Sequence, residues 1–287
     1  MRAEVQVTQK SRVLSNLSRE DFVLRDEGVV TEVAEFGMEN DPLDVMMLLD
    51  VSGSMTSYLY EVSRAADAAL AQLQPSDRVG VMIFSKQAKV LSEFRAPREQ
   101  TLATLKSLAR QPGMGAGTAI NASIMDAVED IKKDAAEGHY DSKRRRAILI
   151  LTDNWGLNYK LPDRVVLRAL HEQNISLHAI VVGRVQRPKE KWSKIARDGL
   201  EDEIDFSPAN VFQLAEDTGG DIFTDLKQED GLAGILSRIR NRYSLYFHAN
   251  ADAKKGVFRE IRVSLSPTAA KANKGAVVRA RAGYYVD

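Results

Sequence analysis

Three oxygen-bearing side chains occupy alternate positions directly after an apolar segment. In the stretch LDVMMLLDVSGSM, Asp50, Ser52 and Ser54 follow a run of mainly apolar residues that begins at Leu43. Side chains two residues apart in an extended segment point the same way, so these three face one point. A carboxylate and two hydroxyls are hard oxygen donors, which suit Mg²⁺ or Mn²⁺ better than Zn²⁺. The pattern therefore predicts a divalent-cation site at the end of a strand.

Two further segments carry donors of the same kind. Asp153 closes the apolar run RAILILTD, and Thr118 follows the glycine-rich stretch GMGAG just before a predicted helix. Ligands of open α/β sheets gather at the carboxyl ends of the strands, so we expect Asp153 to lie beside Asp50. Glycines allow a loop to approach closely, and we expect this loop to present Thr118 to the same point.

The elements that position these residues alternate between strand and helix. Near-continuous apolar runs at 43–50, 78–85, 146–153 and 175–183 are typical of strands that helices cover on both faces. Amphipathic segments at 58–73, 98–110, 118–136 and 162–173, with a closing helix at 231–242, supply those helices. Residues 89–94 follow the second run closely and are predicted to be an antiparallel edge strand. The middle of the chain is therefore predicted to be an α/β fold with a doubly wound, mostly parallel sheet.

Both chain ends have sequence patterns typical of β-strands. The predicted strands lie at 3–8, 21–26, 29–37, 242–250, 258–266 and 276–286. Because about three strands are marginal on their own, we expect the two ends to pair into one small β-sandwich-like domain. The predicted division is 1–40 and 242–287 for this domain and 41–241 for the inserted α/β domain. The alternative is that each end packs separately on the middle.

Composition excludes several classes of protein. The 40 basic and 40 acidic side chains balance, which argues against a nucleic-acid-binding protein. We interpret the basic segment KRRR (143–146) as part of a solvated loop. The chain has no cysteine, so disulfides, thiolate zinc sites and cysteine nucleophiles are ruled out. No apolar run is long enough for a transmembrane segment, and MRAEVQVTQK lacks the apolar stretch of a signal peptide.

The motifs DVSGSM, GMGAGT and LTDN together resemble the metal-ion-dependent adhesion site of von Willebrand factor type A (VWA) domains. The resemblance covers residues 43 to about 241, and the flanks LSREDFVLRDEG and RYSLYF…VRARAGYYV resemble those of a bacterial VWFA-related family. It implies that Mg²⁺, with Mn²⁺ and Ca²⁺ as alternatives, is bound by five residues. These are Asp50, Ser52, Ser54, Thr118 and Asp153.

The same resemblance implies how such a site is used. The cation takes an Asp or Glu from a protein partner, the protein is not an enzyme, and it is extracytoplasmic (secreted or periplasmic). Met114, Asn154 and Trp155 are expected on the partner-binding rim, where Asn154 replaces a common glycine. For Trp155 the alternative is that the ring covers the edge of the sheet.

Other functions fit the sequence less well. A phosphotransferase that forms an aspartyl phosphate would usually carry a second Asp where Ser52 stands. Neither a G-x-S-x-G nor an H-E-x-x-H motif occurs. The remaining alternative is a structural or regulatory subunit in which the metal site is vestigial and the β domain makes the contacts.

Overall fold

The computed structural model describes residues 1–38, 41–110, 117–139, 141, 143–159, 161–183, 206–227 and 231–286. In chain order, the strands before the α/β region are β1 (Arg2–Gln9), β2 (Arg12–Val13), β3 (Phe22–Asp26), β4 (Val29–Thr31) and β5 (Glu35–Met38). Those of the middle are β6 (Leu43–Asp50), β7 (Arg78–Phe84), β8 (Ala88–Ser92), β9 (Arg145–Thr152), β10 (Leu157–Tyr159), β11 (Ile175–Val181), β12 (Phe206–Pro208) and β13 (Ile222–Phe223). The last strands are β14 (Tyr243–Tyr246), β15 (Phe258–Leu265), β16 (Val277–Ala280) and β17 (Gly283–Tyr285).

The described helices lie mainly between the strands of the middle region. They are α1 (Thr56–Leu70), α2 (Arg98–Ser107), α3 (Ile120–Asp134), α4 (Asp163–Glu172), α5 (Val211–Asp217), α6 (Gly231–Arg240) and α7 (Pro267–Ala272). No helix in the described ranges is long and apolar enough to cross a membrane.

The central sheet has the strand order β13-β11-β9-β6-β7-β8 within the described residues. Strands β6, β7, β9, β11 and β13 are parallel to their neighbours, and β8 pairs antiparallel with β7 at one edge. The predicted parallel strands and the predicted antiparallel edge strand are therefore confirmed. Strands β10 and β12, which follow β9 in sequence, pair in a separate two-stranded antiparallel sheet that was not predicted.

Both faces of the central sheet are covered. Alternate side chains of β6 enter two different cores: Val45 and Leu49 pack in a cluster with α1 and α6, and Met46 in one with α3, α4 and α5. This two-sided burial explains why LDVMMLLD is apolar at almost every position. The doubly wound α/β architecture is confirmed.

Each of two antiparallel sheets combines strands from both chain ends. One has the order β16-β1-β14-β5, with β2 on β1, and the other has the order β17-β15-β3-β4. Buried apolar side chains of the two sheets, among them Val5, Leu24, Leu245 and Ile261, form one hydrophobic cluster. We call these two sheets the terminal sheets.

Two predicted terminal strands were wrong in extent. Segment 29–37 contains β4 and β5, and segment 276–286 contains β16 and β17; in each case the two strands belong to different terminal sheets. The chain must leave one sheet to enter the other, and the irregular residues between the strands make that crossing. Helix α7 was not predicted, although Ser266 caps it by accepting from the amide of Ala269.

The terminal sheets contact the α/β region at the amino ends of its strands. Strand β1 buries Ala3, Val5 and Val7 in the terminal core, while polar side chains that alternate with them contact the α/β region. Arg2 donates to the carbonyl of Lys143 at 2.7 Å, just before β9. Gln6 donates to the carbonyl of Asn241 at 3.2 Å, just after α6. The carboxyl ends of β6 and β9 therefore lie at the opposite edge of the sheet.

Candidate functional site

The carboxyl ends of β6 and β9 are held side by side. These strands pair in parallel through Leu49 and Leu151, so the residues that follow each strand meet at one edge. The Thr152 hydroxyl donates to Oδ2 of Asp50 at 2.8 Å. Thr152 was not predicted from the sequence, because a threonine at the end of an apolar strand has no distinguishing pattern.

A chain of polar contacts links the first motif to Asp153. The amide of Ser52 donates to Oδ1 of Asp50 at 2.9 Å, and the Ser52 and Ser54 hydroxyls lie 3.3 Å apart. The Ser54 hydroxyl then donates to Oδ2 of Asp153 at 2.7 Å. A short 3₁₀ turn, Gly53–Met55, leads from this loop into α1. Four of the five predicted metal ligands therefore lie together.

Asp50 is an electrostatically unfavourable group in the absence of a cation. It is fully buried, and burial raises its pKa; the neighbouring charge of Asp153 acts in the same direction. Hydrogen bonds from Ser52 and Thr152 oppose this rise. A buried carboxylate near a second carboxylate gains stability from a bound cation.

The fifth predicted ligand, Thr118, is on an adjacent loop. The amide of Ala119 donates to the carbonyl of Ser85, just after β7, at 2.7 Å. A Cβ at Gly156 would stand only 2.5 Å from the carbonyl oxygen of Thr118, so glycine permits this close approach. No hydrogen bond within the described residues joins the Thr118 hydroxyl to the other four ligands.

The predicted rim residues have different positions. Trp155 is 65% exposed, so its ring does not cover the sheet edge, and its amide donates to Oδ1 of Asp153 at 3.0 Å. Met114 lies outside the described residues.

The assignment of Asn154 to the rim was wrong. Its side chain is only 6% exposed, donates to the carbonyl of Ala209 and accepts from the amide of Val211 at the start of α5. Its backbone has a φ of +55°, a conformation that asparagine tolerates better than most residues. Asn154 therefore connects the site loop to α5.

The donor set fits a hard divalent cation. Carboxylate and hydroxyl oxygens are the ligands that Mg²⁺ takes in proteins, and it usually keeps positions for water or an external ligand. Within the described ranges, no group of three or more His, Cys, Asp or Glu side chains is placed to hold a metal ion. A cation here would rest on two carboxylates and neutral hydroxyls.

Residues 45–156 match the family model of the von Willebrand factor type A domain. The resemblance seen in the sequence is thereby confirmed for these residues, and the α/β region has a VWA-like fold. This domain class supports a role as a protein-interaction module. A comparison with curated proteins finds no match to the chain.

Several solved structures are similar. A conserved hypothetical protein, BatB, from Bacteroides thetaiotaomicron is 17% identical, with 69% of this chain and 97% of that chain covered and a TM-score of 0.49. An aerotolerance-related membrane protein from Bacteroides fragilis is 16% identical, with 69% and 98% covered and a TM-score of 0.47. The VWA domain of SpRpn10 is 14% identical, with 67% and 93% covered and a TM-score of 0.45.

Proposed function

We propose that this protein is a divalent-metal-dependent protein-binding module without enzymatic activity. Asp50, Ser52, Ser54, Thr118 and Asp153 hold Mg²⁺, and an Asp or Glu of a partner protein completes its coordination. The observation that carries the proposal is the 2.7 Å hydrogen bond between Ser54 and Asp153, which brings the donors of two separate strand ends together.

The charge of the site favours an anionic partner. Three of the five donors are neutral hydroxyls, so the cation stays electrophilic, and its remaining coordination positions are open to a ligand from outside. An acidic side chain of a partner supplies both the negative charge and the oxygen ligand that the cation lacks. The exposed Trp155 ring beside Asp153 offers an apolar contact to the same partner.

The two terminal segments support the α/β region at the end opposite this site. We propose that residues 1–40 and 242–287 form one small domain of the β-sandwich type and that 41–241 form the VWA domain inserted in it. The site then faces away from the terminal sheets and is open to a partner. Deletion of residues 1–38 should unfold the β14–β17 region, and independent folding of that region would contradict this division.

The family resemblance further supports an extracytoplasmic location.

The proposal is tested by capture of partners on the immobilised protein in Mg²⁺ and in chelator. Asp50→Ala removes a metal ligand, and Asp67→Ala is the control because it removes an exposed carboxylate of α1 that pairs with Lys106. Partners that need Mg²⁺, are lost with Asp50→Ala and are retained with Asp67→Ala support the proposal. Partners that neither chelator nor Asp50→Ala removes support a vestigial metal site, with contacts made by the β domain.

A further inference from the structure

A cavity of about 690 Å³ lies between the terminal sheets and the α/β region. Its walls come from the segment 143–146 and the end of α4 on one side, and from the start of β1, the end of β14 and β17 on the other. Arg146 is seven residues before Asp153 along β9, which corresponds to roughly 23 Å of extended chain. The cavity is therefore distant from the candidate metal site.

The described lining of this cavity carries an excess of positive charge. Its carboxylates are Glu35 and Glu172 only. The cationic side chains are Arg2, Lys143, Arg144, Arg146 and Arg281. Five cations against two carboxylates leave a local charge of +3. The whole chain has a net charge of zero, so the cations of this region are concentrated.

The neighbouring carboxylates are largely shared with cations outside the lining. Asp44, behind the wall, lies 2.9 Å from Arg144 and is also bonded to Arg78. Glu172 is bonded to Arg168 at 2.7 Å, and the side chain of Glu35 is 68% exposed and 3.9 Å from Lys143. Glu4, behind the wall, is shared between Arg145 at 2.9 Å and Arg2 at 3.5 Å. Burial alone would raise the pKa of Glu4, but the charges of Arg145 and Arg2 outweigh it and lower this pKa to about 2.

Two of the guanidinium groups are fixed by backbone acceptors. Arg281, which is only 8% exposed, donates to the carbonyl of His171 at 2.9 Å and to that of Gly283 at 2.6 Å. Arg2 donates to carbonyls at the start of the 143–146 segment. Carbonyl acceptors leave the positive charge in place while they fix the orientation, so less side-chain entropy is lost when an anion binds.

We propose that this cavity is a second binding site, which takes a small, multiply charged anion with phosphate or clustered carboxylate groups. Positively charged N–H donors form strong hydrogen bonds with both kinds of oxyanion. The volume lies within the range of small-molecule sites, about 300–1,000 Å³. Residues 143–146, which the sequence analysis assigned to a solvated loop, are therefore part of an anion site, except that Arg145 turns inward to Glu4.

The test is isothermal titration of the full chain with pyrophosphate and, separately, with citrate, in buffer free of divalent cations. At least one probe should bind with a stoichiometry of one, and the better probe identifies phosphate or carboxylate as the recognised group. Lys143→Glu should weaken binding about tenfold or more, because it reverses a charge of the lining. Lys132→Glu is the control: Lys132 is also exposed and paired with a glutamate, but it belongs to α3 and does not line the cavity.

Two results would overturn the proposal. One is the absence of saturable binding of either probe at millimolar concentration. The other is an equal loss of affinity in Lys143→Glu and Lys132→Glu, which would mean that the probes bind to surface charge in general. Asp50→Ala should bind the probes as the native chain does, and a loss there would show that the cavity is not a separate site.

Discussion

The hydroxyl of Thr152 donates a 2.8 Å hydrogen bond to the carboxylate of Asp50 and so joins the ends of two neighbouring strands. The same hydroxyl accepts from the amide of Asn154 at 3.1 Å, which shapes the loop that carries Asp153. One side chain thus orients the buried carboxylate and the loop of the second carboxylate. We infer that Thr152 positions the metal ligands without being one of those we assign.

Thr152→Val should therefore weaken metal binding by roughly 10–100-fold, the usual cost of losing a group that orients a ligand. The fold should persist, because valine has nearly the same shape. Mn²⁺ titration and circular dichroism measure the two effects. Thr101→Val is the matched control: its hydroxyl is also buried and lies 3.0 Å from that of Ser92, away from the site. Equal metal affinity in both variants would contradict the positioning role.

Trp155→Ala should weaken partner binding and leave metal affinity unchanged. The ring is 65% exposed, so it is available to a partner, while only its backbone amide contacts Asp153. Partner affinity by surface plasmon resonance and metal affinity by calorimetry separate the two effects. A drop of several degrees in Tm with unchanged partner affinity would show instead that the ring stabilises the fold.

The buried pair of Glu4 and Arg145 should be important for stability. The two side chains are 10% and 1% exposed, and Arg145 also donates to the carbonyls of Ile239 and Arg240. Glu4→Ala leaves a buried charge without its carboxylate and should cost about 3–5 kcal/mol in the free energy of unfolding. Urea unfolding measures this loss. Glu32→Ala, which breaks an exposed pair with Arg19, is the control and should have little effect; similar losses in both would contradict the account.

His178 should make the protein less stable in acid. Both ring nitrogens are hydrogen-bonded: Nδ1 accepts from the amide of Asp221, and Nε2 lies 3.1 Å from the Ser176 hydroxyl. Burial, reinforced by the charge of Arg242, lowers the pKa of His178 from 6.5 to about 3. Between these values the unfolded chain binds a proton that the folded chain does not, so the free energy of unfolding should fall as pH drops from about 6.5 towards 3.

The variant His178→Gln should flatten this dependence of unfolding free energy on pH. Urea unfolding at several pH values between 7.5 and 4 gives the slope for each protein. His248→Gln is the control, since His248 is exposed and should leave the slope unchanged. An unaltered slope in His178→Gln would mean that other groups carry the acid sensitivity.

The parts of the molecule that local sequence pattern determines could be predicted. The central strands such as 43–50 were found because burial on both faces makes them apolar throughout. The breaks within 29–37 and 276–286 were missed, because they depend on which terminal sheet each half joins. That is a non-local property, and both halves have the same strand-like composition.

The candidate site also contains residues whose position follows from local pattern and one whose position depends on distant partners. The proximity of Asp50, Ser52, Ser54 and Asp153 could be predicted because each follows a recognisable strand or motif, and their role as metal ligands stays a prediction. Asn154 was assigned to the rim because it adjoins Asp153, but its amide bonds with Ala209 and Val211, far along the chain, bury it. Such partners cannot be identified from a single sequence.

The most direct test of the central claim is Mn²⁺ binding to the full chain, followed by the electron paramagnetic resonance signal of free Mn²⁺. The account predicts one site per chain that Mg²⁺ competes for, that is lost in Asp50→Ala and that is retained in Asp67→Ala. No bound Mn²⁺ in the native chain, or the same binding in Asp50→Ala as in the native chain, would contradict it.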